Sequence, residues 1–179
     1  MKTSITLAIL IILLVAVTGH PHRRLCHMAK YRSIPSNSIK AVRLLQNEHE
    51  KNPFCEGIKC YRKMFRHKPS VCDLKGSDKL ILTLERVSMA AEVLTNLTNS
   101  PLTELVSQTI PFLLSLENDL KLCRNSPKNG NPPTQKLIPW LTHLKHFQEE
   151  VSLECVQDAV LLSLTRLLIE DVMCWANNE

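Results

Sequence analysis

Glycine and aromatic residues are scarce in this 179-residue sequence, with four glycines in all and only 4% Phe, Trp and Tyr. Gly19, Gly57, Gly76 and Gly130 stand too far apart for a phosphate-cradling loop, and too few for the tight turns of a β-sandwich. No GxSxG or HExxH motif occurs, and no glycine-rich calcium loop accompanies a His-Asp dyad. Hydrolase and phospholipase chemistry therefore lack their residues. Cys55, Cys60, His143 and His146 have no CxxC pair beside them, which leaves zinc without its usual spacing. His27 adjoins Cys26, but neighbouring side chains rarely aim at one point, so a Cys-His nucleophile is not expected. We expect no enzyme, no metal and no cofactor. The net charge of +5 is enough for weak attraction to acidic polymers and too small to argue for nucleic acid.

Long apolar runs are also missing, except at the start. Lys2 precedes the uncharged run Ile5–Val17, and Val17-Thr18-Gly19 offers a cleavage site. A run this short cannot span a bilayer, so residues 1–19 are expected to be a secretory signal and residues 20–179 one released domain, without membrane insertion. In an oxidising compartment the seven cysteines are expected to form disulfides, with one left over.

Leucine is abundant, and its spacing is helical. Ile39, Val42 and Leu45 follow Pro35-Ser36; Leu80, Leu84, Val87, Ala91 and Leu94 follow Gly76 and the candidate cap Ser77. Pro101 opens a third stripe from Leu102 to Leu120, with Pro111 expected to kink it. Residues 125–134 (NSPKNGNPPT) read as a loop, followed by Leu137, Leu141, Leu144, Phe147 and Val151. Leu153, Val156, Val160, Leu164, Leu167, Leu168 and Val172 mark the last helix. Residues 52–75 lose the pattern, apart from a short helix expected around Cys60–Phe65. The expected fold is all-α, about five to six helices in a disulfide-linked bundle with up-up-down-down crossover topology, because one connection is very long.

At about 100° per residue, Leu153, Val160 and Leu164 centre one face of the last helix. Leu162, Ile169 and Met173 fall opposite, among Cys155, Asp158 and Arg166. That second stripe means burial on both sides or a surface kept for a partner. Lys59, Arg62, Lys63, Arg66 and Lys68, with Tyr61 and Phe65 among them, form a solvated basic loop, a receptor rim or a heparan-sulfate patch. Asn96-Leu97-Thr98 is an N-glycosylation sequon.

The segment Cys26-His27-Met28-Ala29-Lys30-Tyr31-Arg32-Ser33-Ile34 resembles the mature start of the type III (lambda) interferons. The likeness continues through Pro101-Leu102-Thr103-Glu104-Leu105, Gln108, Pro111 and Cys123. It resumes with Trp140-Leu141-Thr142-His143-Leu144, Cys155, Leu164-Thr165-Arg166-Leu167-Leu168 and Asp171. The resemblance implies a helical class II cytokine with helices A to F. Its expected partners are the interferon-lambda receptor chain and the shared interleukin-10 receptor beta chain, engaged as a monomer to induce antiviral signalling. Helices A and F would face the specific chain, helices A and D the shared one. The implied contact residues are Lys40, Arg43, Asp158, Leu162, Thr165, Arg166 and Ile169. Leu162 and Thr165 stand where the family carries two aromatic anchors. An interleukin-22-like or type I interferon-like cytokine is the alternative; a basic helical protein binding membranes or glycosaminoglycans directly is a third reading.

The resemblance, together with the topology it implies, pairs Cys26 with Cys123 and Cys55 with Cys155. A Cys72–Cys174 bridge is expected from the shared pole of two helix ends, leaving Cys60 as the odd thiol. A local Cys60–Cys72 bridge is the rival.

Overall fold

The computed structural model describes residues 26, 28–54, 60, 69–97 and 101–177. The leader, the basic-loop lysines and arginines, the short helix expected near Cys60, Cys55 and Thr98 lie outside them. All regular structure among the described residues is helical.

Helix α1 (Ser36–Lys51) starts after Pro35, whose carbonyl accepts the N–H groups of Ser38 and Ile39 at 3.0 and 3.2 Å. Its Val42, Leu45 and His49 recur at three- and four-residue steps and are buried. Helix α2 (Ser77–Thr95) follows Gly76, which occupies the cap position at φ +56°, a left-handed conformation that only glycine adopts without strain. Ser77 is thus the first helical residue rather than the cap. Helix α2 is buried over much of its circumference, with Leu80, Ile81, Leu82, Val87, Ala90, Ala91 and Leu94 enclosed. Helix α3 (Thr103–Arg124) begins two residues after Pro101 and continues through Pro111, which sits on the exposed side. Helix α4 (Ile138–Glu150) follows the expected loop. Helix α5 (Leu153–Arg166) opens on Ser152, whose hydroxyl accepts the Cys155 N–H. It runs on through a π-helical stretch, Leu167–Val172, into α6 (Met173–Asn177). Short 3₁₀ turns at Met28–Tyr31 and Val71–Asp73 precede α1 and α2.

Covalent and polar ties fix the directions. Cys26, ahead of α1, is bonded to Cys123 at the end of α3. Beside it, the Tyr31 hydroxyl donates to Asp119 at 2.5 Å, and Lys30 pairs with the same carboxylate. Burial first, then that hydrogen bond, push the Tyr31 phenol above its ordinary pKa. Arg32 donates to the Ala176 carbonyl at 2.9 Å, so the chain's last helical turn returns to the start of α1. Cys72–Cys174 brings the same end to the start of α2. Hence α1 and α2 run up while α3 and α5 run down, the crossover bundle that one long connection demands. Helix α4 runs alongside α2, tied by Thr134 to Asp78 at one end and by Gln148 to Glu92 at the other.

The Cys26–Cys123 and Cys72–Cys174 pairings are as expected. Cys155 is instead bonded to Cys60, with Cα atoms 5.1 Å apart, so Cys60 is not the odd thiol. Leucine fills the core in place of aromatics: Leu45, Leu82, Leu94, Leu113, Leu116, Leu120, Leu161, Leu164 and Leu168 are fully buried. Each contributes about 1.5–3 kcal/mol by leaving water. Leu153, expected to centre the core stripe, is 61% exposed because it is the first residue of α5, below the turn that packs.

Candidate functional site

The residues singled out on the first and last helices meet along the seam where α1 packs antiparallel to α5. Gln46 of α1 stitches it. Its amide nitrogen donates to the Leu162 carbonyl at 3.0 Å, and its amide oxygen accepts from the Thr165 hydroxyl at 2.8 Å. Both partners are half-buried, so the seam opens to solvent there. One turn on, Arg166 closes onto Glu170 at 2.5 Å, while Ile169 is 40% exposed.

On the α1 side, Arg43 lies one turn from Gln46 and Lys40 one turn further, turning progressively outward. Both are exposed, and neither is ion-paired among the described residues. Together with Ser36, Ile39, Leu44 and Asn47 they line a shallow groove of about 420 Å³. Leu44 is 42% exposed. It is an apolar side chain off the buried Val42–Leu45–His49 stripe, and that displacement was readable in the sequence.

The structure thus gathers Leu162, Thr165, Arg166 and Ile169 on α5 and its π continuation, with Lys40 and Arg43 on the neighbouring outer face of α1. It removes Asp158. That carboxylate has no exposure and takes a 2.9 Å hydrogen bond from His49 Nε2, itself fully enclosed, with the Phe54 ring at 4.9 Å. A side chain so placed joins α1 to α5 and cannot reach a partner. The wheel of the last helix put Asp158 on the outer side because a wheel does not show that α1 covers it.

Gln46 and Leu44 were not singled out beforehand, while Ile39, expected on the buried stripe, is only partly buried. Gln46 carried no signal, since a polar residue on a helix flank reads as solvated. Leu162 and Ile169 are thus apolar side chains left accessible beside the seam, and the outer face of α1 carries Lys40 and Arg43. Among the described residues no group of three His, Cys, Asp or Glu could hold a metal ion. No helix there is long and apolar enough to cross a membrane. Asn96, the sequon asparagine, is exposed at the C-cap of α2.

Comparison with known proteins points the same way. The family model for interleukin-28A matches residues 23–178. The chain is 26% identical over 157 residues to interferon lambda-3 of Gallus gallus, covering 88% of this chain and 84% of the relative. It is 24% identical over 156 residues to interferon lambda-2 of Mus musculus, covering 86% and 81%.

Proposed function

This chain belongs to the interleukin-28A family of type III interferons, and from that premise we propose how it acts. It is a cytokine of the interferon-lambda type. In our reading it is released after loss of its leader, works as a monomer, and joins the interferon-lambda receptor chain to the interleukin-10 receptor beta chain to induce antiviral signalling. It acts by contact, without catalysis, and carries a glycan on Asn96.

One observation carries the receptor assignment. The α1–α5 seam is pinned from inside by His49–Asp158 and from its edge by Gln46, yet leaves Leu162 half-exposed and Ile169 at 40%. Apolar side chains on a rigid seam, with the exposed cations of Lys40 and Arg43 on the adjoining helix, suit a desolvated anchor with a charged rim. This face meets the lambda-specific chain. Helix α3, exposing Leu114 and Leu122, completes the second contact with α1.

Surface plasmon resonance on the lambda-specific chain tests the reading. Leu162→Asp and Ile169→Asp should each weaken binding by about 2 kcal/mol or more, roughly 30-fold, as apolar anchors do. Circular dichroism and thermal melting should stay as in the parent protein. Collapse of the fold, or undiminished binding, would show that these side chains are not receptor anchors.

A further inference from the structure

We infer that a recess at the α2 pole of the bundle, rimmed by Lys75, Lys79 and Lys128, binds the sulfate groups of a glycosaminoglycan. The recess holds about 370 Å³ and is lined by Leu74, Lys75, Gly76, Lys79, Lys128, Asn129 and Trp175. It shares no residue with the α1–α5 seam.

Three independent segments converge here, which is why the sequence did not announce it. Lys75 and Lys79 flank the start of α2, Lys128 comes from the loop after α3, and Trp175 comes from α6. Several lysines elsewhere are ion-paired, Lys30 with Asp119, Lys51 with Glu48 and Lys121 with Glu117, though Lys40 has no such partner among the described residues. None of the three pole lysines is ion-paired among the described residues, and no carboxylate lines the recess. The nearest acid on α2, Asp78, is buried and bonded to the backbone N–H and hydroxyl of Thr134. Arg124 adds a fourth positive charge behind the rim by donating to the Asn129 carbonyl.

The chemistry favours sulfate on a sugar. Three hydrated ammonium groups on flexible stems act as point charges, suited to neutralising several anions along a chain. The Asn129 side-chain nitrogen is engaged with the Cys123 carbonyl, which leaves its amide oxygen to accept a hydroxyl. Open space stands over Gly76, where an added Cβ would meet nothing within 4 Å, so a ring can approach the backbone closely. Trp175, largely buried, adds an apolar part to the lining. Choosing a glycan over nucleic acid rests on the release from the cell proposed above; the recess itself does not.

Heparin affinity of the purified mature protein, measured across a salt series, tests the inference. The parent protein should bind heparin and lose binding to chemically desulfated heparin. The variant K75Q/K79Q/K128Q should elute at lower salt, and the slope of log affinity against log salt should fall by about three, one counterion per lysine. Its affinity for the lambda-specific receptor chain should not change, which separates failure here from failure of the receptor reading. A second variant, K59Q/K63Q/K68Q, removes equal charge from the basic loop and should lose less. Unaltered heparin binding by the pole variant, or equal losses by the two variants, would overturn the site. Binding to phosphatidylserine vesicles as strong as that to heparin would overturn the glycan.

Discussion

Two buried carboxylates tie down the α5–π–α6 rod, one near each end, and their partners differ in kind. Near the start, Asp158 meets His49 of α1, both without exposure. Within the π-helical stretch, Asp171 meets Arg86 of α2 at 2.7 Å, both nearly enclosed. A histidine can surrender its proton and persist as a neutral hydrogen-bonding partner. A guanidinium cannot discharge, so Arg86 stays charged whatever happens to Asp171. The same carboxylate chemistry therefore makes a compliant joint beside the proposed receptor face and a brittle one at the far end. At the brittle joint burial outweighs the attraction of Arg86 and holds the Asp171 carboxyl above the usual carboxylate range.

The contrast can be broken at its brittle end first. Asp171→Ala leaves the buried Arg86 guanidinium charged without that carboxylate and should lower unfolding free energy by about 3–5 kcal/mol, read from urea midpoints. Asp158→Ala leaves an imidazole rather than a fixed charge and should cost about 1–3 kcal/mol. Replacing both partners, His49→Leu with Asp158→Leu, should recover most of that loss, because an apolar pair of similar volume is tolerated where a broken pair is not. If Asp158→Ala costs as much as Asp171→Ala, the distinction between the joints is lost.

The smallest effect sharpens the comparison through pH. A carboxyl whose folded pKa is raised contributes stability that is fully present below its unfolded value and lost as pH rises through the folded one. The stability difference between the parent protein and Asp171→Asn should therefore shift in favour of the parent on moving from near pH 7 to near pH 4. A shift the other way in denaturant titrations would mean that Arg86, not burial, sets the charge of Asp171.

The helices were legible because their cause is local. Apolar residues at three- and four-residue steps, Pro35 before α1 and the residues 125–134 loop each speak through neighbours in sequence. The crossover followed from the single long connection, and the Cys26–Cys123 and Cys72–Cys174 bridges agree with it. What failed depends on contacts between distant residues. Cys55 and Cys60 both lie in a stretch without periodicity, so nothing local chose Cys60 as the partner of Cys155. Asp158 looked like an outward residue until α1 was laid over it. His49, continuing the Val42–Leu45 stripe, was the available hint, since a histidine on a buried stripe needs a partner. The sulfate recess was invisible for the same reason as the Asp158 pair: its lysines come from segments that meet only in the fold.

The π-helical stretch at Leu167–Val172 is a vernier on the end of the bundle. One extra residue taken up in a turn sets everything after it back by one position, about 100° of rotation and about 1.5 Å of rise, relative to an uninterrupted α-helix. After the stretch, Cys174 bonds Cys72 and Trp175 lines the pole, while before it Leu162 and Thr165 meet Gln46. The rod therefore carries two separate phases, one for each end. Substitutions that relax the wide turn into ordinary helix would leave the α1 seam in step and put the α2 pole out of it. Receptor engagement and glycan capture could then drift independently along one continuous helix.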